Sequence, residues 1–366
     1  MASQPAISVI KQAGENLLPE ADSYADENIF AENASSGSRL NLLKYLLNAR
    51  EGWEHNVEIF KQVVDREKYD LVIADEAYEI ALARREDSSI SKIPFVMIYD
   101  FVGLDSMTIN PLEKLGIYMW NRLWSKDYRQ ANDPNFLELF IGELEDIPDK
   151  RFGFFLPNRR DYARKKYKSL GYVLGFDVED YTDKAIVRAE LGYEDVSLVI
   201  CSIGGTTIGK NLLELCGQAF PIVKDKIPNL EMILVCGPRL SADSLTIPQR
   251  VKAQGYVPDL FKHFAASDLA IVQGGGNTTL ELTALRRPFI YFPLEEHFEQ
   301  QICVAGRLDR HKAGVKMIYS QTTPVSLAEQ IITNLNKKVT YNPIPTGGAE
   351  KAVHLIEQFL SSRASL

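Results

Sequence analysis

The sequence predicts an α/β protein built from two doubly wound domains. Its 366 residues exceed what a single hydrophobic core usually organises. Short apolar runs alternate with amphipathic segments along most of the chain. The apolar runs are continuous, which is typical of strands that are buried on both faces of a parallel sheet.

The second half of the chain shows the alternation most completely. Helices are predicted between the strands because their apolar residues recur at helical spacing. The predicted strands are 196–203, 231–238, 268–275 and 288–293, and the predicted helices are 211–223, 258–267 and 278–287. This half is expected to form one complete doubly wound domain.

The first half follows the same pattern with fewer strands. Strands are predicted at 69–80, 93–101 and 136–144, and a long helix at 39–67. The resulting domains are 1–175, a polar and acidic linker at 176–195, a second domain at 196–346, and a helix at 347–366 that packs back toward the first domain.

Composition and charge exclude several classes of function. The net charge of -8 argues against a nucleic-acid partner, which would require a basic face. No apolar run reaches the length that crosses a bilayer, and no signal peptide is recognisable, so a cytoplasmic location is predicted, with peripheral membrane contact left open. The four cysteines lack CxxC spacing, so neither a disulfide framework nor a metal site is expected.

Two glycine-rich turns carry the strongest functional signal. The stretches "SIGGTTIGKN" (202–211) and "QGGGNTT" (273–279) each follow a predicted strand and precede a predicted helix. Glycine lets backbone amides approach an anion, and a helix N-terminus adds partial positive charge. Two such turns suit a diphosphate. The alternative is that the glycines only form tight turns and that Thr278 and Glu281 make a capping box.

A different interpretation is contained in the first turn. "GGTTIGK" (204–210) has the spacing of a phosphate-binding P-loop. Asn211 stands where a P-loop needs a Ser or Thr hydroxyl for magnesium, so a nucleoside triphosphatase is the less favoured hypothesis.

The run "GYVPDLFKHFAASDLAIVQGGGNTTLELTALRRPFIYFPLEEHFEQQ" (255–301) resembles the donor-binding signature of GT-B glycosyltransferases. It is similar to that of the UDP-glycosyltransferases and of the peptidoglycan enzyme MurG. The resemblance covers the second domain well and the first only in outline. It implies two Rossmann-like domains, a nucleotide-sugar donor and no resident cofactor or metal.

The resemblance also implies roles for individual residues. The base would lie near Tyr256 and Val257, Glu281 would accept hydrogen bonds from the ribose, and the sugar would be read by Glu299, Gln300 and Gln301. The diphosphate would lie at two groups of residues, Gly204, Gly205 and Thr206 in the first turn and Gly275, Gly276, Asn277, Thr278 and Thr279 in the second. Gln273 and Asn277 depart from the His and Gly of many relatives, which loosens the prediction of the nucleotide.

The first domain departs further from the GT-B pattern. The chain opens on "MASQPAISVIKQAGE", which predicts a helix ending at Gly14, where relatives have a strand and a glycine loop that often carries a catalytic His. The first domain is therefore expected to be incomplete at its N-terminus. Asp75 matches the family's partner of that His, and Asp100 is a second candidate at a strand end.

These features predict a glycosyltransferase of hexosyltransferase type, impaired in this short form, that moves a sugar from a nucleotide diphosphate, with UDP favoured, to an unidentified hydroxyl acceptor. Two alternatives remain open. One is a nucleotide-sugar epimerase of the same architecture, and the other is a non-catalytic nucleotide-sugar-binding chain.

Overall fold

The computed structural model describes residues 7, 10, 11, 14–36 and 39–364. Most of the helix predicted over residues 1–15 lies outside these residues, whereas Gly14, its predicted stop, has a left-handed φ of 81°. The chain divides into two compact units. Unit 1 contains Met1–Ala34, Asn41–Val173 and Pro345–Leu366, and unit 2 contains Ser35–Leu40 and Leu174–Ile344.

The strands are short, as is usual for parallel sheets. In chain order they are β1 (Ser35–Ser36), β2 (Arg39–Leu40), β3 (Val72–Asp75), β4 (Phe95–Tyr99), β5 (Phe136–Ile141), β6 (Lys168–Gly171), β7 (Ser197–Ser202), β8 (Leu230–Val235), β9 (Lys252–Gln254), β10 (Leu269–Gln273), β11 (Phe289–Phe292) and β12 (Val315–Lys316).

The helices separate the strands. The α-helices are α1 (Glu27–Ala34), α2 (Leu42–Arg66), α3 (Tyr78–Arg84), α4 (Ser88–Ser91), α5 (Pro111–Trp124), α6 (Arg159–Lys166), α7 (Lys184–Leu191), α8 (Lys210–Lys226), α9 (Leu260–Ala266), α10 (Gly276–Ala284), α11 (Ala305–His311), α12 (Pro324–Asn334) and α13 (Gly348–Ala364). Short 3₁₀ helices span Pro19–Ser23, Ser125–Asp127, Leu144–Asp146, Val178–Tyr181, Ala242–Ser244 and Tyr319–Gln321, and a π-helical turn spans Glu299–Val304.

Unit 2 is organised around a parallel six-stranded sheet. Its spatial order is β12-β11-β10-β7-β8-β9, so β7 and β10, which are the first and fourth strands of this sheet in chain order, lie side by side. Chain direction across the sheet reverses at this pair, and ligands of doubly wound sheets bind beyond the carboxyl ends of the strands at such a switch point. The topology therefore places the expected site at the ends of β7 and β10.

Both faces of the unit 2 sheet are buried. Val199 and Cys201 of β7 face one hydrophobic core, and Leu198 and Ile200 face a second core on the other side. Alternate residues of a strand point to opposite faces, so continuous apolar runs are needed where both faces are covered. The predicted α/β class is confirmed by this arrangement.

Unit 1 has a parallel four-stranded sheet in the order β3-β4-β5-β6. Phe95 and Met97 of β4 face one core, while Val96 faces another, to which α13 contributes Leu355 and Phe359. In the described sheet β3 is an edge strand, and its Ile73 is 54% exposed. The C-terminal helix is thus part of the packing of unit 1.

Two segments differ from the elements that the sequence predicts. Residues 176–195, predicted as a linker, contain a 3₁₀ helix and α7, and Val187 of α7 is buried in a core of unit 2. The chain passes between the units at 173–174 instead. The strand predicted over 69–80 ends at Asp75, because Glu76 adopts a left-handed φ of 52° and Tyr78 begins α3.

A carboxyl group is buried within the sheet of unit 1. Glu138 of β5 is 7% exposed and accepts a hydrogen bond from the Tyr99 hydroxyl at 3.3 Å. Burial, followed by the negative charge of Asp127, raises the pKa of Glu138 to about 8. The acid is therefore expected to be largely protonated at neutral pH.

Candidate functional site

The two predicted glycine turns meet at the switch point of unit 2. β7 leads through residues 203–209 into α8, and β10 leads through Gly274 and Gly275 into α10. The strands pair in parallel, with Val272 beside Ser202 at their carboxyl ends. Both helix N-termini therefore lie at the same edge of the sheet, next to each other.

Some glycines of these turns are required by close packing. A Cβ on Gly274 would lie 2.7 Å from Pro293 Cα, and one on Gly209 would lie 2.5 Å from the side chain of Ile203. Gly237, in the loop after β8, would place a Cβ 2.2 Å from the Gly204 carbonyl oxygen. Gly237 lies outside the motifs that the sequence analysis identified, since only its neighbour in space explains it.

Other glycines of the turns face open space. A Cβ on Gly204, Gly205 or Gly275 would meet no atom within 4 Å. Gly204 also has a φ of 78°, which favours glycine for conformational reasons. These positions leave room for a bound group to approach the backbone.

The helices that begin at the two turns lack side-chain caps. Gly209 and Gly275 are their N-cap residues, and neither helix has a side-chain capping hydrogen bond. Because Gly275 is the N-cap, Thr278 lies inside α10 and the Thr278–Glu281 capping box does not form. The Thr279 hydroxyl instead donates to Gly275 O at 2.8 Å. The first amides of α10 are left available to an anion.

Glu281 lies on the second turn of α10 and is half-buried. No described residue donates a hydrogen bond to its carboxylate, and burial raises the pKa of Glu281 to about 7. A half-buried carboxylate without a partner is costly, and it becomes favourable when hydroxyl groups of a ligand donate to it. This environment agrees with the ribose contact that the resemblance implies.

Gln273 ends β10 between the two turns. It is 7% exposed, and its buried Oε1 atom has no hydrogen-bond partner in the described part of the chain. A small cavity adjoins it, lined by Ile208, Gly209, Asn211, Leu212, Phe292, Pro293, Leu294 and Tyr319. An unpartnered buried acceptor at the site marks a place for a donor from a ligand or water.

The structure gives the glutamine pair a structural role. Gln300 Oε1 accepts from Leu294 N at 2.8 Å, and Gln301 Nε2 donates to Leu294 O at 3.0 Å. Lys316 Nζ donates to Gln301 Oε1 at 3.0 Å. Both amides hold the chain that follows β11, and only Nε2 of Gln300 has no acceptor among the described residues.

Glu299 lies closer to the glycine turn than the glutamines do. Its Oε1 is 4.0 Å from the position of a Cβ on Gly276. Arg307 of α11 donates from Nη2 to Gly276 O at 2.8 Å and so brings a positive charge to the same turn. Arg307 is 31 residues from Gly276 in the sequence, so no local motif connects the two.

The remaining predicted donor residues are placed as follows. Tyr256 is 44% exposed in the loop after β9, while Val257 packs against a core of unit 2. Thr206 and Thr278 are half-buried, and Asn277 is exposed. The described residues contain no cluster of three His, Cys, Asp or Glu side chains of the kind that holds a metal ion. Burial lowers the pKa of His297 to about 4.

Lys210, the lysine of the P-loop spacing, is the first residue of α8. Its Nζ lies 3.8 Å from Glu214 Oε1, one helical turn further along. The lysine is thus in an ion pair with a residue of its own helix.

In unit 1, Asp75 and Asp100 lie at the carboxyl ends of the paired strands β3 and β4. Asp100 Oδ1 is buried without a hydrogen-bond partner among the described residues. Partial burial of the carboxyl, followed by the charge of Asp100, raises the pKa of Asp75, although that side chain keeps solvent exposure. The structure therefore brings the two predicted acids close enough to influence each other.

Comparison with known proteins supports the family resemblance. Residues 199–362 match the family model for the Glycosyltransferase family 28 C-terminal domain. An uncharacterized glycosyltransferase of Methanopyrus kandleri is 25% identical over 189 residues, 51% of this chain and 53% of that protein. A UDP-N-acetylglucosamine--N-acetylmuramyl-(pentapeptide) pyrophosphoryl-undecaprenol N-acetylglucosamine transferase of Carboxydothermus hydrogenoformans is 28% identical over 139 residues, 36% of this chain and 37% of that protein. The chain spans about half, or less, of the length of these curated relatives.

The solved structures establish the fold. The calicheamicin glycosyltransferase CalG4 is similar with a TM-score of 0.54 and 15% identity, over 98% of this chain and 94% of that chain. Identity at this level is evidence for the fold alone. This protein therefore has the fold of the GT-B glycosyltransferases, and its residues 199–362 are similar to the glycosyltransferase family 28 C-terminal domain.

Proposed function

We propose that this protein transfers a sugar from a nucleoside diphosphate sugar to a hydroxyl acceptor, with UDP as the nucleotide. The observation that carries the proposal is the combination, at one switch point, of two open glycine turns with the unpartnered carboxylate of Glu281. One relative is named as a UDP-N-acetylglucosamine-dependent transferase, which favours UDP.

The donor contacts follow from the chemistry of the site. The diphosphate binds the backbone amides of Gly205 and Thr206 in the first turn and the open amides at the start of α10, where the helix dipole adds positive charge. Arg307, which donates to Gly276 O, places a guanidinium beside the second turn, and the carboxylate of Glu299 lies beside the same turn. Glu281 accepts from the ribose hydroxyls, and the exposed ring of Tyr256 is available to stack on the base.

In the proposed reaction the acceptor oxygen attacks the anomeric carbon and forms the new C–O bond. The bond from that carbon to the diphosphate oxygen breaks, and the nucleoside diphosphate leaves with the electron pair. The acceptor proton passes to a base, a contribution of about 10²–10⁴-fold. Asp100 is the better supported candidate, because its buried Oδ1 has no hydrogen-bond partner among the described residues. Asp75, predicted as the partner of an upstream His, is the second candidate.

Three alternatives predict different products or ligands. An epimerase would convert a UDP-sugar to its stereoisomer without an acceptor, and a non-catalytic chain would bind UDP without any turnover. A P-loop enzyme would require ATP or GTP with magnesium. Calorimetry with UDP, UMP and ATP, followed by mass spectrometry of products formed from UDP-sugars, separates them. Tight UDP binding, weak UMP binding and new glycoside are expected, whereas absence of any nucleoside diphosphate binding to the folded protein would refute the proposal.

Unit 1 supports peripheral contact with an anionic membrane, where the acceptor would be a lipid. Leu112, Leu115 and Met119 lie on one face of α5 and are 66%, 58% and 51% exposed. Phe154 and Phe155 are 75% and 85% exposed with ring centroids 4.1 Å apart. Contiguous exposed apolar side chains of this kind mark an interaction surface.

The loop and the helix form one surface, which we call the apolar face, consisting of Leu112, Leu115, Met119, Phe154 and Phe155. Tyr118 joins its two parts by donating to Phe154 O at 3.3 Å. The exposed cations Lys114 and Arg122 lie on α5, Lys126 lies in the 3₁₀ helix that follows, and none of the three forms a salt bridge within the described residues. Glu113 of α5 is turned inward to Ser106 and Thr108. Basic residues beside an apolar helical face favour anionic lipid.

The compartment we propose is the cytoplasm. The structure contains no helix, among the described residues, with the length and apolarity to cross a membrane. All four cysteines are free, and Cys201, Cys216 and Cys236 are buried. Free thiols at every cysteine fit a reducing environment.

A further inference from the structure

Unit 2 contains another cavity, which is polar and lies away from the glycine turns. It has a volume of about 230 Å³. Its walls come from the amino ends of β10 and β11 and from the segment after α12, and the lining residues are Lys184, Ser267, Asp268, Arg286, Arg287, Pro288, Asn336, Lys337, Lys338 and Val339. The five residues of β10 separate this cavity from the glycine turns by roughly 15 Å. The cavity therefore lies at the amino ends of the strands, and the glycine turns lie at their carboxyl ends.

The charge of this cavity is opposite to that of the protein. Five lining side chains are basic and one, Asp268, is acidic, in a chain whose net charge is -8. Asp268 is 3% exposed and is already neutralised by ion pairs with Lys184 and Arg188. Its Oδ2 also accepts from Leu198 N at 2.8 Å. Asp268 is thus already paired with two cations, and its charge reaches Arg287 only at longer range.

Four cations of the cavity have no carboxylate within 4 Å in the described part of the chain, namely Arg286, Arg287, Lys337 and Lys338. Arg287 donates to Ala265 O at 2.8 Å and to Tyr181 O at 3.2 Å, and Arg286 donates to Tyr341 O at 3.3 Å. Carbonyl groups orient a guanidinium without neutralising it. Burial lowers the pKa of Arg287, and the opposing effect of the nearby Asp268 charge is smaller.

Helix termini explain only part of this charge. α10 ends at Ala284 and α12 at Asn334, and each C-terminus contributes about half a negative charge. Together they offset roughly one of the four uncompensated cations. Arg286 and Asn336 moreover adopt left-handed φ values of 52° and 56°, positions where glycine would be less strained. Helix capping alone therefore leaves the cavity strongly positive.

We propose that this cavity binds a phosphate-bearing anion. Each water of the liquid occupies about 30 Å³, so a cavity of this volume admits a group as large as pyrophosphate. Guanidinium and ammonium groups are the side chains that bind phosphate most strongly, the first by paired hydrogen bonds and the second as point charges. The phosphate belongs either to a free anion or to a lipid headgroup, since both present the same oxygens.

The test is titration of inorganic pyrophosphate at low salt into the wild-type protein and three variants. Lys338→Gln removes a cavity cation that makes no hydrogen bond to a described residue, and Lys351→Gln on α13 is the matched control. Gly275→Ala places a methyl group in the open space of the donor turn. Binding should be about tenfold weaker in Lys338→Gln, a change of about 1.4 kcal/mol. It should be unchanged in Lys351→Gln, retained in Gly275→Ala and weaker at higher salt.

The opposite pattern would overturn the inference. If pyrophosphate binding is absent in the wild type, or is lost in Gly275→Ala and unaffected by Lys338→Gln, the cavity does not bind phosphate. Arg286→Gln provides a second test of pyrophosphate binding, at a cation on another wall of the cavity. Thermal unfolding checks that this variant is folded. Co-sedimentation with phosphatidylcholine vesicles, with and without phosphatidic acid, separates the sources. Vesicle binding that is lost in Lys338→Gln identifies a lipid headgroup. Pyrophosphate binding without any vesicle binding identifies a free anion.

Discussion

Glu281→Gln is expected to make the free protein more stable and its nucleotide binding weaker. Burial raises the pKa of Glu281 from 4.5 to about 7. Because the folded value is the higher one, the stability contributed by this group is complete below pH 4.5 and is lost as pH rises through 7. A shift of this size corresponds to about 3 kcal/mol, an upper limit because solvent reaches part of the side chain.

The same substitution removes the acceptor for the ribose. At pH 8 we expect Glu281→Gln to raise the free energy of unfolding by about 1–3 kcal/mol in the absence of ligand. We expect UDP to bind about 10- to 100-fold more weakly, since a hydrogen bond to a charged group contributes about 1.5–3 kcal/mol. Wild-type binding should also weaken as pH falls below 7, because a protonated carboxyl is a poorer acceptor, and the variant should not show this dependence.

Urea unfolding and UDP calorimetry at pH 6 and pH 8 provide the measurements. Glu329→Gln, an exposed glutamate on α12, is the control and should change neither quantity. Unaltered UDP affinity in Glu281→Gln would disprove the ribose assignment. A loss of stability at pH 8 would show instead that the carboxylate has a favourable partner in the folded protein.

Four further outcomes are expected. Asp100→Asn should lower sugar transfer by about 10²–10⁴-fold with UDP affinity unchanged, and an unchanged rate would direct the search for the base to Asp75. Lys210→Ala should leave UDP binding intact, whereas magnesium-dependent ATP hydrolysis that this variant abolishes would restore the P-loop hypothesis. Glu138→Gln should flatten the fall in unfolding free energy between pH 4.5 and about 8, measured by urea titration, because the raised pKa makes the wild type lose stability over that range. Phe155→Ser should reduce co-sedimentation with anionic vesicles at unchanged thermal stability, and equal binding by variant and wild type would remove the membrane proposal.

The sequence predicted unit 2 well because its strands need continuous apolar residues. Strands buried on both faces leave a pattern that survives without any knowledge of neighbours, and glycine turns mark their ends. In unit 1 the segment "EAYEIALAR" (76–84) was predicted partly as strand, because its apolar content fits both elements. Glu76 adopts a left-handed conformation just before α3. Because the residue is not a glycine, the local sequence did not predict this turn.

The site was predictable only as far as local spacing extends. The two turns and Glu281 lie within short motifs, and the structure brings them to one sheet edge. Arg307 and Gly237 act through contacts with residues distant in sequence, which spacing cannot reveal. For Gln301, spacing predicted the position but not the contacts of the side chain. Its amide donates to the backbone after β11, whereas the resemblance implied a contact with the sugar.

The glycines themselves give the strongest reason to expect a ligand at the switch point. Gly209, Gly237 and Gly274 are explained by packing, because a Cβ at each would lie within 3 Å of another atom. Gly205 and Gly275 have neither this constraint nor a left-handed φ. A glycine costs about 0.4–1 kcal/mol relative to alanine through the entropy of the unfolded chain, and an N-cap Ser or Asp would serve α10 at least as well as Gly275. Packing and backbone conformation do not explain glycine at these two positions, whereas the absence of a Cβ lets an anion approach the backbone amides.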